Sequence, residues 1–333
     1  MKIIIALLIF GIVIAIHELG HFCVAKKNEI TVHEFAVGMG PAIYKKIKDG
    51  TQYSIRIIPI GGYVAMEGED EDSDDPNAFC NKKPLQRMAV IFAGPFMNFV
   101  LATLVFMLIF FIYGIPVNKV GGLVPDSPAV KMDLHADDEI ISINGKEVKQ
   151  WRQIPEIIAA EQSKLDIDVI RDGKQIKISG ESENIQGRNA IGIYPKYEFK
   201  PLLSVKYAFV QTFDLTLQML DFISKLFTGK LDMKYISGPV GIVKQISSSV
   251  GQGFGIILNY IAFISLNLGI MNLLPIPALD GFRFLTAFFE YVTGKKPSKR
   301  AEYVVNMAGM IFLIGIMLLI TYKDVLNIGI QLK

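Results

Sequence analysis

His17-Glu18-Leu19-Gly20-His21 interrupts an otherwise aliphatic run from Ile3 to Val24. An ionisable residue at the centre of a bilayer-spanning helix costs about 2.5–3.5 kcal/mol. Residues kept at that cost face a protein interior and carry function. With about 3.6 residues per turn, positions i and i+4 stack on one helix face. Both imidazoles therefore reach one metal ion, and Glu18 stands beside it to activate a water. The stretch predicts a membrane span and a zinc site within it. Lys2 before an apolar run also suggests a signal peptide, but no small-x-small cleavage site precedes the polar segment, so removal is not expected.

Composition supports a mixed molecule. Of 333 residues, 51% are hydrophobic and 20% charged, too apolar for a typical soluble domain and too charged for an all-membrane bundle. Several spans plus a water-exposed domain are expected. A net charge of +2 supplies no basic field, so no nucleic-acid partner is expected. The two cysteines, Cys23 and Cys80, make neither a disulfide framework nor a CxxC site. Any metal must be held by histidine and carboxylate.

Four stretches meet the requirement of about 20 apolar residues for a span: Ile3–Val24, Phe96–Tyr113, Ile256–Leu274 and Val304–Ile320. Basic residues gather between the first and second (Lys26, Lys27, Lys45, Lys46, Lys48, Arg56, Lys82, Lys83, Arg87) and between the third and fourth (Arg283, Lys295, Lys296, Lys299, Arg300). Those loops are therefore expected in the cytoplasm, with both termini and the segment from 114 to 255 outside. The acidic run from Glu67 to Asp72 reads as a solvated loop.

The outer segment carries strand patterns at Val120–Val124 and Glu139–Ile143, the turn signal Asn144-Gly145, and helical character over Arg152–Gln162. Leu165–Ile170 and Gln175–Ile178 flank Asp172-Gly173, a strong hairpin cue. Residues 201–227 alternate Phe209, Phe213 and Leu217 with Lys206, Asp214 and Gln218, which predicts an amphipathic helix on the membrane surface rather than a fifth span. The expected organisation is a first membrane half (1–113), an αβ domain (114–196), a linker with the amphipathic helix (197–250) and a second membrane half (251–333).

After the third span comes Asn272-Leu273-Leu274-Pro275-Ile276-Pro277-Ala278-Leu279-Asp280-Gly281. Two prolines one residue apart cannot continue a helix, and Asp280-Gly281 reads as a sharp bend. Catalytic zinc takes three protein ligands and leaves a fourth position for water. His17, His21 and Asp280 make that set. Alone, HExxH is a modest signal and Asp-Gly after proline is a turn; their conjunction at one membrane face is specific. His33 and His135 read as surface residues, and Asn98, Asn259, Asn267 and Asn272 as interhelical hydrogen-bonding groups. Between the first two spans, Gln52–Ile58 and Ile60–Val64 read as two short strands broken at Pro59, a hairpin whose free edge can pair with an unwound peptide.

Taken together, these residues resemble the site-2-type intramembrane zinc metalloproteases, in the regulator-of-sigma-E and sporulation-type branch with one PDZ domain. HELGH resembles that family's HExxH. Gly94-Pro95-Phe96-Met97-Asn98 resembles its GPxxN, and Asn272 to Gly281 its NxxPxPxLDG. Phe35 to Pro41 and Gly61-Gly62-Tyr63-Val64 resemble its membrane-associated β segments. The resemblance implies a polytopic α-helical membrane protein with four transmembrane helices, a membrane-associated β-hairpin and an inserted extracytoplasmic αβ PDZ-like domain. It implies one Zn2+ per chain on His17, His21 and Asp280, with Glu18 as general base. Asn272, Gly61, Gly62 and Tyr63 would lie near the substrate.

Ser127 to Gly145 resembles a circularly permuted bacterial PDZ domain, which makes Ile191-Gly192-Ile193 its peptide-binding strand. Its usual Gly-Asp turn is Asp137-Asp138 here, and aspartate tolerates the left-handed backbone required. The implied activity is hydrolysis of peptide bonds within single-span membrane proteins, such as anti-sigma factors or remnant signal peptides. The implied setting is the bacterial cytoplasmic membrane, in contact with lipid, with the active site toward the cytoplasm and an upstream extracytoplasmic protease as a partner. A zinc transporter is the alternative from another class, but it calls for ligands on several helices, and no span beyond the first holds a histidine. A non-catalytic scaffold presenting a PDZ domain leaves HELGH and Asp280 without a purpose.

Overall fold

The computed structural model describes residues 2–69, 71–161, 163–185, 188–229, 238–296 and 298–331. Asp70 of the acidic run and Gln162 of the expected outer helix lie outside them. The chain divides into two compact units, Met1–Phe106 with Ala208–Lys333, and Met107–Tyr207. Four helices among the described residues are long and apolar enough to cross a membrane: α1 (Lys2–Lys27), α2 (Pro84–Tyr113), α7 (Phe254–Leu273) and the Arg300–Leu326 part of α9 (Lys299–Gln331). Three of the four expected stretches fall within them, and Ile256–Leu274 runs one residue past the end of α7.

In the first unit, glycines set how closely the elements approach. A Cβ on Gly11 would lie 2.5 Å from the Pro59 carbonyl oxygen, so α1 meets the sheet beside it only through glycine. That sheet consists of β1 (Val32–Lys48) and β2 (Thr51–Met66), two long antiparallel strands. The register folds back on itself: Phe35 pairs with Val64 on one side and Tyr53 on the other. This corrects the expected pair of short strands. Gln52–Ile58 and Ile60–Val64 are one strand, and their partner is β1. Pro59 falls in the unpaired stretch between the Ile58 and Gly62 partners, where its missing N–H removes no ladder bond. The chain bends there, and Gly61 takes φ +86°. The bend is pinned by charge: the Glu34 carboxylate accepts Ser54 Oγ at 2.5 Å and Tyr63 Oη at 2.7 Å, and pairs with Arg56 at 2.8 Å. Burial alone would push the Glu34 carboxyl up; these hydrogen bonds outweigh it and bring it down to about 2.

The amphipathic helix α5 (Pro201–Phe227) exposes Phe209, Phe213 and Leu217, as its pattern predicts. Its other face docks along α2. Thr212 Oγ1 lies 3.1 Å from Thr103 Oγ1, and Ser204 Oγ donates to the Phe110 carbonyl at 3.3 Å. The two helices therefore run antiparallel over the second half of α2. A further helix, α6 (Pro239–Ser249), packs Ile246 against Ala6, Ile9 and Val13 of α1.

The second unit is built around an αβ layer. Its sheet has the order β10 (Ile193–Glu198), β3 (Ile115–Leu123), β4 (Glu139–Ile143), β6 (Lys164–Arg171), β7 (Lys174–Glu181), with β5 (Lys146–Glu147) paired to β4. Short helices α3 (Pro128–Lys131) and α4 (Gln153–Ala160) and the ribbon β8 (Glu183–Ile185)–β9 (Arg188–Ala190) complete it. Alternate residues of β6, Leu165, Ile167 and Val169, are buried with Ile140, Ile143, Ile154 and Ile158. Asn144-Gly145 and Asp172-Gly173 both take positive φ, the two-residue turns that match strand twist. Asp137 takes φ +72°, so the Asp137-Asp138 turn keeps the left-handed residue expected of it. Asp138 is fully buried and accepts Arg171 Nε at 2.7 Å, Arg171 Nη2 at 2.8 Å and the His135 N–H at 2.8 Å. Burial would raise its carboxyl, but the Arg171 guanidinium holds it below the usual aspartate range.

Candidate metal centre

His17 and His21 stand one turn apart on α1, 6% and 9% exposed, with ring centroids 4.8 Å apart and planes at 85°. Their Nε2 atoms lie 3.2 Å apart. Asp280 Oδ2 comes to 3.1 Å from His17 Nε2 and 3.4 Å from His21 Nε2. Among the described residues this is the one group of three or more His, Cys, Asp or Glu able to share an ion.

The partners of the far ring nitrogens say what lies at the centre. His21 Nδ1 faces the Val90 carbonyl at 2.8 Å. A carbonyl only accepts, so Nδ1 carries the proton and Nε2 offers a lone pair. His17 Nδ1 meets the side-chain amide of Asn98 at 3.0 Å. Its nitrogen, Nδ2, faces the ring and donates to it, while its oxygen accepts from Ser265 Oγ at 3.4 Å. The His21 lone pair faces Asp280 Oδ2, which is buried without a hydrogen-bond partner. Acceptors packed this closely repel one another unless a cation lies between them. At a metal–ligand distance of about 2.0–2.1 Å, the edge of a tetrahedron is about 3.4 Å. The three observed separations are of that size, so the donor set fits zinc.

Backbone geometry brings the pieces together. A Cβ on Gly94 would fall inside the His21 ring, 2.5 Å from Cε1, so only glycine lets α2 carry the imidazole. Pro95 sits within α2, where its missing N–H interrupts the helix ladder next to this contact. Asp280 is delivered from the C-terminal side. Here the expected bend moves: residues 274–279 are the non-helical segment, and Asp280-Gly281 opens α8 (Asp280–Thr293). The residue with left-handed backbone is Ala278, φ +75°, while Gly281 is needed because a Cβ would collide with the Leu273 and Leu274 carbonyls. The helix N-terminus favours the Asp280 carboxylate. Ion pairs Arg87–Glu290 and Arg283–Glu69, the latter at 2.5 Å, tie α8 to its surroundings. A cavity of about 700 Å³ behind the bend is lined by Glu69, Arg283, Glu302 and Asn306.

Glu18 accepts a hydrogen bond from the Val64 backbone, and a Cβ on Gly62 would lie 3.4 Å from Glu18 Cγ. Strand β2 thus lies against the carboxylate with bare backbone. Asn272 Nδ2 is 3.5 Å from His17 Nε2. Of the other sequence candidates, Gly61 and Gly62 lie on that strand, but the Tyr63 side chain is committed to Glu34 and Arg56. Ile191, Gly192 and Ile193 belong to the second unit. The Ile191 and Gly192 carbonyls accept the Ala129 and Val124 N–H groups at 2.8 and 2.9 Å, and Ile193 opens the edge strand β10. His33 and His135 are exposed, paired with Glu67 and Asp133. Asn98, expected to hydrogen-bond between helices, does so against His17 and is completely buried there. The signal was a polar residue three positions after Gly94-Pro95 in a span.

The family model for peptidase family M50 matches residues 5–316. The chain belongs to peptidase family M50. A Clostridium acetobutylicum protein bearing a zinc-metalloprotease name is 40% identical over 329 residues, covering 97% of each chain. The regulator of sigma-W protease RasP of Bacillus subtilis is 31% identical over 408 residues, covering 96% of this chain and 97% of RasP. That span exceeds the 333 residues of this M50 chain, so RasP carries segments missing here. The PDZ domain of an SdrC-like protein from Listeria innocua matches at 23% identity, covering 26% of this chain and 99% of that one, with a TM-score of 0.22. This M50 protein is a membrane zinc metalloprotease of the site-2 type, as HELGH, GPFMN and NLLPIPALDG together suggest.

Proposed function

We propose that His17, His21 and Asp280 hold the zinc, that Glu18 is the general base, and that the enzyme cleaves peptide bonds within membrane-spanning segments. The observation that carries this is the meeting of two histidine nitrogens of a span with the Asp280 carboxylate, with Glu18 next to His17. When bound, zinc supplies Lewis acidity, polarising the scissile carbonyl and making water acidic enough to lose a proton near neutral pH. Glu18 takes that proton and returns it to the leaving amine. The Val64 N–H holds the carboxylate in place for both transfers. Asn272 stands where it can donate to the oxygen that gains charge.

A helical substrate must unwind before its carbonyls are accessible. The backbone of β2 at Gly61–Gly62 offers such a strand main-chain hydrogen bonds, as strand addition does. The second unit acts as a PDZ-like filter outside the cytoplasmic membrane, with Ile191–Ile193 leading into its edge strand, and it senses ends left by an upstream protease. Both chain termini lie on that outer side, following the charge bias of the loops. Anti-sigma factors and remnant signal peptides are the substrates that fit, the former in keeping with the name of RasP.

The test uses full-length parent and Glu18→Gln with a single-span substrate. Expected is a cleavage loss of at least about 100-fold, the size of general acid–base contributions, with zinc content unchanged. Cleavage retained by zinc-loaded Glu18→Gln would sink the base assignment.

A further inference from the structure

The helix α9 is largely unpacked. Only 6% of its apolar window is buried, against 33–39% for the other three spans. Yet it touches the segment that delivers Asp280, and it does so through two residues on one face. Asn306 Oδ1 accepts the Ala278 N–H at 3.1 Å. Gly309, three residues on, lies against Pro277, where a Cβ would be 2.7 Å from the Pro277 carbonyl oxygen. Positions i and i+3 share a helix face, so both contacts belong to one docking surface.

What that surface holds is an unfavourable conformation. Ala278 has φ +75°, a region that residues bearing a Cβ rarely adopt. Pro275 and Pro277 remove two backbone donors from the same segment, leaving few ways to fasten it from within. Asp280 follows two residues later. A change of φ at Ala278 would swing everything after it, including the Oδ2 atom now 3.1 and 3.4 Å from the histidines.

We propose that Asn306 is a positioning residue for the metal centre: by accepting the Ala278 N–H it locks the left-handed bend and sets Asp280 at ligand distance. The inference rests on the reading of Asp280 as a zinc ligand. It makes a helix that contributes no ligand part of the support for one.

The experiment measures zinc retention against a competing chelator in the detergent-solubilised full chain, together with amide exchange over residues 274–283 in zinc-free protein. Asn306→Leu removes the acceptor; Asn306→Asp keeps an oxygen in its place. Expected is a loss of zinc affinity of about 10–100-fold in Asn306→Leu, the range for groups that support a ligand. The Ala278 amide should also exchange at least about 10-fold faster there, and Asn306→Asp should recover most of both. Should Asn306→Leu not fold, Asn306→Ala carries the same comparison. Parental zinc affinity in the acceptor-less variant overturns the inference, as does equal loss in Asn306→Asp. Asp280→Ala in the same assay separates the two readings. Parental retention there overturns the ligand assignment and this inference with it; lost retention there beside parental retention in Asn306→Leu overturns this inference alone.

Discussion

The two units solve the problem of holding polar groups in opposite ways. In the second unit, the buried charge of Asp138 is met completely by Arg171 and a backbone N–H, and hydrophobic residues close over the sheet. In the first unit, Asp280 Oδ2 lies buried without a hydrogen-bond partner beside two imidazole nitrogens. A satisfied buried ion pair stabilises a fold; unsatisfied acceptors stabilise nothing until a cation arrives. The difference separates structure from function without reference to any sequence motif.

The comparison breaks most visibly at Asp138. Asp138→Ala removes both carboxylate bonds to Arg171, leaving it the exposed Asp133, and should cost about 1–3 kcal/mol, read as lost protection of the second unit's sheet in hydrogen exchange, with zinc content unchanged. The converse is Gly94→Ala. Its methyl displaces the His21 ring, so zinc affinity should fall about 10–100-fold by chelator competition while the second unit melts normally. If both units fail together in either variant, the contrast is wrong. Acidification sharpens it further. The Asp138 carboxyl lies below its unfolded value, so the stability it contributes is complete above about pH 3.9 and is lost as pH falls toward the folded value. Circular dichroism of the parent in that window should show a loss that Asp138→Asn no longer shows. The smallest effect belongs to Gly173→Ala, where φ is +76° and nothing crowds the position. A cost of about 1 kcal/mol, read as a shift of the second unit's melting temperature alone, is expected.

What the sequence revealed was local or chemically rare. HELGH in an aliphatic run, Asp280 after two prolines, and the Asn144-Gly145 and Asp172-Gly173 turns each stand out within ten residues. The sheet of β1 and β2 does not, because Pro59 breaks a strand in isolation, whereas here the strand bends where no ladder bond is made and Gly61 absorbs the turn. Which partners Asn98 and Asn306 meet is hidden for a different reason. Several asparagines occur in these helices, and only the packing of one helix on another decides which meets His17 and which meets Ala278. Gly94 likewise means nothing until the ring that fills its missing side chain is known.

The position of Asp280 has a consequence for biogenesis. The ribosome makes both histidines and the glutamate first, then two spans' worth of chain and the whole second unit, before it reaches Asp280. A nascent chain grown only as far as α7 therefore lacks the carboxylate that meets His17 and His21, and the delay is written into the order of the chain.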